Sequence, residues 1–272
     1  MTTTQADKAR LFRSLHTPDR PLALANVWDV AGARVVEAAG APAIATTSAG
    51  VAWSLGLPDG DALPRDRAVD VIAGIAAAVG VPVTADIEAG YGQRAADVAE
   101  TVVRVIEAGA VGINIEDGTR PPAELAQRLT VAREAARGTG VDLFVNARID
   151  TYLFGLGDPA DRLRETVERA GAYVAAGADG VFVPGVTDPD TIKSLAAAIS
   201  VPLNVMAAPG APGVAEMGAL GAARVSLGAG VAQAAYTAAR RAAEELYDPG
   251  TYDGLTDAIP FPDLNGLLAK PR

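Results

Sequence analysis

Residues 107–117 read Glu-Ala-Gly-Ala-Val-Gly-Ile-Asn-Ile-Glu-Asp, and this stretch carries the pattern that decides the fold. A helical segment ends at Gly109, and a short apolar run from Gly112 to Ile115 follows it. Glycine in the left-handed conformation commonly closes a helix, and a run that is apolar at every position is typical of a strand buried on both faces. We therefore interpret the stretch as a helix, a tight turn and a strand of a parallel sheet.

The same pattern recurs along the chain, at 37–46, 176–183 and 220–227, and more loosely at 80–83. Together with the other apolar runs it predicts eight strands: Leu22–Val27, Ala43–Thr47, Val83–Asp86, Gly112–Glu116, Leu143–Ala147, Gly180–Val183, Pro202–Met206 and Ala223–Leu227. Helical segments rich in Ala and Val separate them. Alternating β and α units in this number predict an α/β fold of the TIM-barrel type, a (β/α)8 barrel. A doubly wound sheet is the alternative, but it usually has a Gly-rich first turn, which is missing here.

No internal linker interrupts the chain, so we expect one barrel domain over residues 1–272. Its last part, residues 247–272, is rich in Pro, Gly and Asp and predicts an irregular tail. Within that tail, the run Ile259-Pro260-Phe261-Pro262 is apolar enough to dock on the barrel or on a neighbouring chain; the alternative is a loosely packed terminus.

The composition excludes several classes of function. The chain has 23 basic and 33 acidic residues, a net charge of −10, which disfavours nucleic-acid and anionic-membrane partners. It has no cysteine and one histidine, His16, so thiolate chemistry, iron–sulfur clusters, a Ser-His-Asp triad and a multi-histidine zinc site are disfavoured. No apolar run reaches the roughly 18 residues of a membrane span, and no signal-peptide pattern opens the sequence. We expect a cytoplasmic protein.

Acidic side chains gather at the carboxyl ends of two neighbouring strands, the face where barrel enzymes carry their active sites. Asp86 ends the third strand and Glu88 follows it, while Glu116 ends the fourth strand and Asp117 follows it. Such a cluster needs a counter-charge to stay ionised. In the absence of usable thiolate or imidazole ligands, oxygen ligands suit Mg²⁺ or Mn²⁺. Each acid alone could instead cap a helix, but the group together, with Arg148 as a fork for an anion, favours a site.

Four motifs keep the order and spacing of a known family. They are 47–59, beginning Thr-Ser-Ala-Gly, then 85–92, Ala-Asp-Ile-Glu-Ala-Gly-Tyr-Gly, then 112–117, Gly-Ile-Asn-Ile-Glu-Asp, and 146–150, Asn-Ala-Arg-Ile-Asp. In these the chain resembles the isocitrate lyase/phosphoenolpyruvate mutase superfamily over roughly residues 20–230. The resemblance implies a (β/α)8 barrel, a homo-oligomer (usually a tetramer, with a dimer as the smaller possibility) whose last helix swaps between subunits, bound Mg²⁺, and a small anionic substrate that is a 2-oxo acid or its enolate.

The resemblance also implies roles for individual residues. Asp86 resembles the direct Mg²⁺ ligand, and Asp59, Glu88 and Glu116 resemble carboxylates that hold the metal largely through water. Ser48, Ala49 and Gly50 resemble the loop that binds the carboxylate of the oxo acid, and Arg148 and Asn204 resemble residues that contact the substrate. We expect Asn114, which stands where the family commonly has a histidine, to bind substrate as well. The catalytic residues we expect are Arg148, Glu116 and Tyr91. From the sequence alone, Tyr91 is either a core residue or a proton donor.

The chain departs from the family after Glu116-Asp117. Lyases carry a mobile loop with a catalytic cysteine there, and phosphonate-forming mutases carry a lysine and an asparagine, whereas this chain has Gly-Thr-Arg-Pro-Pro at 118–122. We therefore expect a Mg²⁺-dependent carbon–carbon lyase that acts on a 2-oxo or 2-hydroxy di- or tricarboxylate through a pyruvate-like enolate. One alternative is a mutase or hydrolase acting on a P–C bond, and another is a binding barrel with altered catalysis. The proton donor stays open between Tyr91, a metal-bound water and a loop residue.

Overall fold

Eight parallel strands form a ring in the computed structural model, which describes residues 4–269. The strands are β1 (Leu22–Leu24), β2 (Ile44–Ala45), β3 (Val83–Asp86), β4 (Gly112–Glu116), β5 (Phe144–Arg148), β6 (Gly180–Val183), β7 (Leu203–Met206) and β8 (Ala222–Ser226). Each pairs with its sequence neighbour from β2 to β8, and β8 pairs with β1. A parallel bridge between Val27 and Thr46 closes the ring between β1 and β2. The predicted (β/α)8 barrel is confirmed.

One helix precedes β1, and the helices that follow the strands form the outer layer. They are α1 (Gln5–Ser14), α2 (Val30–Ala38), α3 (Ser48–Ser54), α4 (Arg65–Ala78), α5 (Ala95–Glu107), α6 (Pro122–Arg137), α7 (Arg162–Ala175), α8 (Pro189–Ala198), α9 (Val214–Ala219), α10 (Gly230–Tyr247) and α11 (Phe261–Ala269). The glycine that ends α5, Gly109, has φ +100°, the left-handed conformation on which the prediction rested. None of the helices within 4–269 has the length and apolarity needed to cross a membrane.

The second strand is shorter than predicted, and the segment expected to be a loop after it is helical. Thr47 is the N-cap of α3, and its side chain accepts a hydrogen bond from the Gly50 amide. The cap turns the chain into a helix at Ser48, so Ser48, Ala49 and Gly50 form the first turn of α3. Polar side chains that cap the backbone in this way compete with strand continuation.

Helix α1 packs on the amino ends of the strands. Phe12 is fully buried there, and the His16 ring stacks on Phe144 of β5 at 4.0 Å between ring centroids. A Cβ at Gly112 would lie 2.7 Å from the Phe12 ring, which explains why β4 begins with glycine. Because α1 fills this end, the opposite end, at the strand carboxyl termini, is left for a cavity.

The tail predicted as irregular is in part helical, so that prediction is wrong for two segments. A 3-10 turn spans Asp253–Leu255, and α11 follows it. Arg34 of α2 donates a hydrogen bond to the Leu267 carbonyl at 2.7 Å and ties α11 to the barrel. Phe261 remains 81% exposed, so its apolar side chain does not dock within the chain. The last predicted tail residues, 270–272, lie outside the described part.

Candidate active site

A cavity of about 670 Å³ opens at the carboxyl ends of the strands. Its lining brings together a set of the side chains predicted from the sequence: Ser48, Ala49, Asp59, Asp86, Asn114 and Arg148. The remaining predicted residues lie beside or beneath it.

Asp86 ends β3, and only one of its two carboxylate oxygens accepts hydrogen bonds from the chain. Ser48 donates two hydrogen bonds to Asp86 Oδ2, from its backbone amide at 3.2 Å and from its hydroxyl at 2.9 Å. The Asp86 amide donates to the Thr46 hydroxyl at 2.8 Å, which fixes the backbone at this point. Asp86 Oδ1 is buried and has no hydrogen-bond partner within the chain. A buried carboxylate oxygen without a partner is costly unless a ligand completes it.

Two more acids lie near Asp86, and burial and neighbouring negative charges raise their pKa values. Burial raises the pKa of Asp59, and the Asp86 carboxylate raises it further. Burial also raises the pKa of Glu88 to about 7, with contributions from the charges of Asp61, Asp59 and Asp86. Glu88 Oε2 accepts a hydrogen bond from the Asp61 amide, while Glu88 Oε1 is buried without a partner. Such a set of like charges is stabilised by a bound cation.

Arg148 of β5 is oriented by two carboxylates before any substrate binds. It forms ion pairs with Glu116 and Asp150, each at 2.7 Å. Burial alone would lower the pKa of Arg148, but Glu116, Asp150 and Asp86 together raise it. Burial raises the pKa of Glu116 well above its usual value, and Arg148 opposes that shift. The guanidinium is thus held charged and in place at the cavity wall, where it can bind an anion.

Asp117 does not belong to this cluster, although the sequence places it beside Glu116. Its carboxylate is fully buried and accepts hydrogen bonds from Arg169 and from the Tyr173 hydroxyl, both at 2.8 Å, and from the Asp150 amide at 2.9 Å. These partners join β4 to α7 and to the end of β5. Asp117 therefore supports Asp150, which in turn orients Arg148.

Tyr91 and Gly50 lie outside the lining of the main cavity. Tyr91 lines a neighbouring cavity of about 590 Å³ together with Asp61 and Arg120, and burial raises its pKa well above the usual value. At Gly50 a Cβ would lie 2.7 Å from the Thr47 methyl group and 2.9 Å from Trp28 Cβ. The glycine thus allows α3 to pack closely against the end of β1.

A network of amides forms the layer beneath the cavity. Asn146 donates through Nδ2 to Asn114 Oδ1 at 3.0 Å and to Asn204 Oδ1 at 3.1 Å. Asn204 is 1% exposed and lies in register with Arg224 of β8, whereas Met206 of β7 reaches the cavity. The predicted substrate-binding residue Asn204 is therefore not part of the described lining and is connected to the lining residue Asn114 through Asn146.

Sequence reasoning missed Arg224, a charged residue inside the barrel. Its side chain is 1% exposed, its Nη2 donates to Asn114 Oδ1 at 3.3 Å, and its Nε and Nη1 have no partner within the chain. Burial lowers the pKa of Arg224 to about 10. The signal in the sequence is an arginine within the strand Ala-Ala-Arg-Val-Ser at 222–226, whose other positions are small or apolar.

The acids fit a divalent cation that keeps much of its water. Within residues 4–269, no group of three acidic side chains is arranged to enclose an ion directly. Mg²⁺ is usually held by one or two carboxylates and several waters. Asp86 Oδ1, which has no partner, is suited to bind the ion directly. Asp59, Glu88 and Glu116 are suited to bind the water molecules around the ion.

A family profile described as phosphoenolpyruvate phosphomutase matches residues 12–247. The chain belongs to the phosphoenolpyruvate mutase/isocitrate lyase superfamily. The resemblance seen in the four motifs is thereby confirmed. The superfamily contains lyases, mutases and hydrolases, so membership makes the chain one of a group of enzymes without selecting the reaction.

Individual superfamily members are similar over nearly the whole chain. The crystal structure of a Burkholderia cenocepacia J2315 protein, provisionally described as a lyase/mutase, is 40% identical with a TM-score of 0.91, covering 98% of this chain and 97% of that one. The 2-methylisocitrate lyase of Escherichia coli (strain K12) is 31% identical, covering 92% of this chain and 86% of its own length. Phosphonopyruvate hydrolase in complex with oxalate and Mg²⁺ is 26% identical, covering 96% and 94%, with a TM-score of 0.82.

Proposed function

We propose that this protein is a Mg²⁺-dependent carbon–carbon lyase that cleaves a 2-oxo or 2-hydroxy acid through a pyruvate-like enolate. The observation that carries the proposal is the arrangement of Asp86 and Arg148 on one cavity: a carboxylate with a free buried oxygen faces the same space as a guanidinium already held by two acids. A bound divalent cation would supply the positive charge that stabilises an enolate oxygen. Mn²⁺ would serve the same purpose.

The chain's own residues divide the remaining tasks. Arg148 binds the substrate carboxylate, because it is the cationic side chain in the described lining and its ion pairs fix its direction. Ser48 orients Asp86 through two hydrogen bonds. Asn114 presents its amide to the cavity from a network that locks its rotamer. Such prior orientation lowers the cost of reaching the transition state.

The residue that protonates the enolate must lie near the acids of the site and keep its own proton at neutral pH. Glu88 is not suited to this role, because a bound cation favours its ionised form. Tyr91 keeps its proton, but it reaches a neighbouring cavity rather than the main one. Tyr91 is retained as a candidate, with Glu116, which orients Arg148, in a supporting role.

A screen of 2-oxo and 2-hydroxy acids with pyruvate detection tests the proposal. We expect turnover that needs Mg²⁺, is abolished by excess EDTA and is lost in Asp86→Ala. Asp19→Ala removes an exposed acid far from the cavity and is the matched control. Unchanged turnover with EDTA, or in Asp86→Ala, would refute the metal's role.

P–C bond chemistry is a second candidate, favoured by the matching family profile and by the similarity to phosphonopyruvate hydrolase. A phosphoryl group carries more negative charge than a carboxylate and is usually bound by several cations. Arg148 is the only cation among the described residues of the lining, which favours the lyase. Incubation with phosphonopyruvate and Mg²⁺ followed by ³¹P NMR decides between them: a shifted resonance indicates P–C chemistry, and an inert one excludes it.

A further inference from the structure

The amide oxygen of Asn114, on β4, is occupied by two donors from inside the barrel. Asn146 Nδ2 donates to Asn114 Oδ1 at 3.0 Å, and Arg224 Nη2 donates to it at 3.3 Å. A guanidinium has hydrogens but no acceptor, so the Asn114 atom that faces it must be the oxygen and not the nitrogen. The Asn114 amide is thereby fixed in one of its two orientations, and its Nδ2 group remains for other partners.

Asn114 lies beside the proposed metal ligand. Asp86 and Asn114 are paired in register on neighbouring strands, and both residues line the main cavity. Asp86 Oδ1 is buried without a hydrogen-bond partner in the chain, so Asn114 does not donate to that oxygen. A ligand that reaches a cation at Asp86 therefore comes close to an amide group that has hydrogens to donate.

Ser226, the last residue of β8, is a second donor in the lining. Asn204 accepts from Asn146 through Oδ1 at 3.1 Å, so the NH2 group is the end of the Asn204 amide that reaches Ser226. Ser226 Oγ accepts a hydrogen bond from this group at 3.2 Å. A hydroxyl that already accepts a hydrogen bond still has its own hydrogen to give, so Ser226 is left to donate to an acceptor in the cavity.

Two further amide side chains of the lining are not fixed as donors in this way. Asn26 uses its amide on the backbone, because Nδ2 donates to the Thr46 carbonyl at 3.0 Å and Oδ1 accepts from the Leu227 amide at 3.1 Å. Gln233, on α10, is exposed. Asn114 and Ser226 are therefore the neutral side chains of the described lining whose donating role is set by buried partners.

We propose that Asn114 and Ser226 donate hydrogen bonds to oxygens of the bound substrate, and that Arg224 is the positioning residue that keeps the Asn114 amide in the donating orientation. The inference rests on the proposed function, because it takes the substrate to reach a cation at Asp86. It gives a task to the buried charge of Arg224, whose Nε and Nη1 have no partner within the described chain. Donors that are held in place before binding stabilise negative charge on an enolate oxygen.

Two variants of Asn114 test the polarity of its contact, with oxalate as the probe because it mimics a pyruvate enolate. Asn114→Asp keeps an oxygen for Asn146 and Arg224 but puts a second acceptor where the NH2 group was. Calorimetry should show that this variant, loaded with Mg²⁺, binds oxalate about 100-fold more weakly. Asn114→Ala removes the donor without adding charge and should weaken oxalate about tenfold. Asn265→Ala, at an exposed position of α11, is the matched control and should bind normally.

A double-mutant cycle tests the role given to Arg224. Arg224→Met should weaken oxalate about fivefold in the otherwise unchanged protein and by less than about twofold in Asn114→Ala, because the residue that Arg224 positions is then missing. A residue with a purely structural role would give the same loss in both backgrounds. Asn114→Ser replaces Asn114→Ala in the cycle if the alanine variant does not fold.

Ser226→Ala tests the second donor separately. Asn204 Nδ2 keeps the Val205 carbonyl as an acceptor at 2.8 Å, so the amide network should survive the change. We expect oxalate to bind about tenfold more weakly to this variant. Unchanged binding would overturn the assignment of Ser226 as a donor.

The outcomes separate this inference from the proposed function. Mg²⁺-dependent binding of oxalate to the unmodified protein, together with undiminished binding by both Asn114 variants, overturns the donor assignment and leaves the proposed function standing. Equal losses for Arg224→Met in the two backgrounds overturn its positioning role. Failure of the unmodified protein to bind oxalate with Mg²⁺ overturns both proposals.

Discussion

The Ser48 hydroxyl donates a 2.9 Å hydrogen bond to Asp86 Oδ2, and this contact joins the first turn of α3 to the end of β3. The Ser48 amide reinforces it at 3.2 Å. One oxygen of Asp86 is thereby fixed, and the other is buried without a hydrogen-bond partner in the chain. The site's proposed metal ligand is thus positioned by a residue that the sequence suggested for a different task, binding the substrate.

Variants of the two partners should distinguish the residue that binds the metal, Asp86, from the residue that positions this ligand, Ser48. Asp86→Asn should lower turnover by more than about 100-fold, because the free ligand oxygen loses its charge, and Ser48→Ala should lower it by about tenfold, as for other groups that orient a metal ligand. Titration with Mg²⁺ in a turnover assay measures both. If Ser48→Ala matches Asp86→Asn and extra Mg²⁺ does not rescue it, Ser48 has a more direct role.

The stability of the metal-free protein should fall as pH rises, on account of Glu88. Burial raises its pKa from 4.5 to about 7, so the folded protein keeps this proton over a range where the unfolded chain has released it. The stabilising contribution is complete below pH 4.5 and is lost as pH rises through 7. Thermal unfolding in EDTA from pH 5 to 8 measures the slope, and Glu88→Gln should reduce it. Since Mg²⁺ favours the ionised acid, its affinity should increase over the same range.

The single histidine should stay neutral well below its usual pKa. Burial lowers the pKa of His16 to about 3, and the charges of Arg224 and Arg13 act in the same direction. His16 Nδ1 lies 2.8 Å from the Phe12 carbonyl, which favours a proton on that nitrogen. Because His16 is the only histidine, its NMR signal is unambiguous and should not titrate between pH 8 and 5. A titration midpoint near 6.5 would show that the ring is hydrated.

Between pH 6.5 and 3 the unfolded chain binds a proton at His16 that the folded protein does not. Stability should therefore decrease in this interval as pH falls, and His16→Gln should remove that part of the acid sensitivity. This control separates the contribution of His16 from those of the carboxylates.

Arg224→Met should raise the free energy of unfolding and lower the affinity of the site for oxalate. Arg224 is buried with two nitrogens unpartnered, and replacing buried charges by apolar side chains of similar size can stabilise a protein by about 1–4 kcal/mol. The positive charge beneath Asn114 would be lost, so oxalate should bind less tightly. Thermal unfolding and calorimetry measure the two effects. An unchanged affinity for oxalate would show that Arg224 does not act on the site.

We expect the protein to be a dimer or tetramer in which α10 packs on another subunit. In a single chain Ala232 is the one buried residue of α10, whereas Tyr236, Leu246 and Tyr247 are 43%, 53% and 84% exposed. Apolar side chains grouped on one helix commonly mark an interface. Light scattering gives the mass, and Leu246→Asp with Tyr247→Asp should dissociate the oligomer. Leu11→Asp, on α1, is the control, and a monomeric wild-type protein contradicts the prediction.

The amino-acid sequence by itself determined the barrel and most strand positions, because helix closure at glycine and short doubly apolar runs are local patterns. It also placed Asp86, Glu116 and Arg148 at one face, since parallel strands bring their carboxyl ends together. The shortened β2 is a case that local patterns do not resolve: the apolar run predicts Thr47 as a strand residue, although its side chain caps a helix.

Only the tertiary structure decided how deep each side chain lies and which way it faces. Asn204 lies beneath the cavity and Met206 at it, because strand register and twist set their levels in the barrel. Asp117 is held by Arg169 and Tyr173 from a distant helix, and Arg224 contacts Asn114 across the barrel interior. These pairings join residues far apart in the chain, so no local pattern in the sequence could predict them.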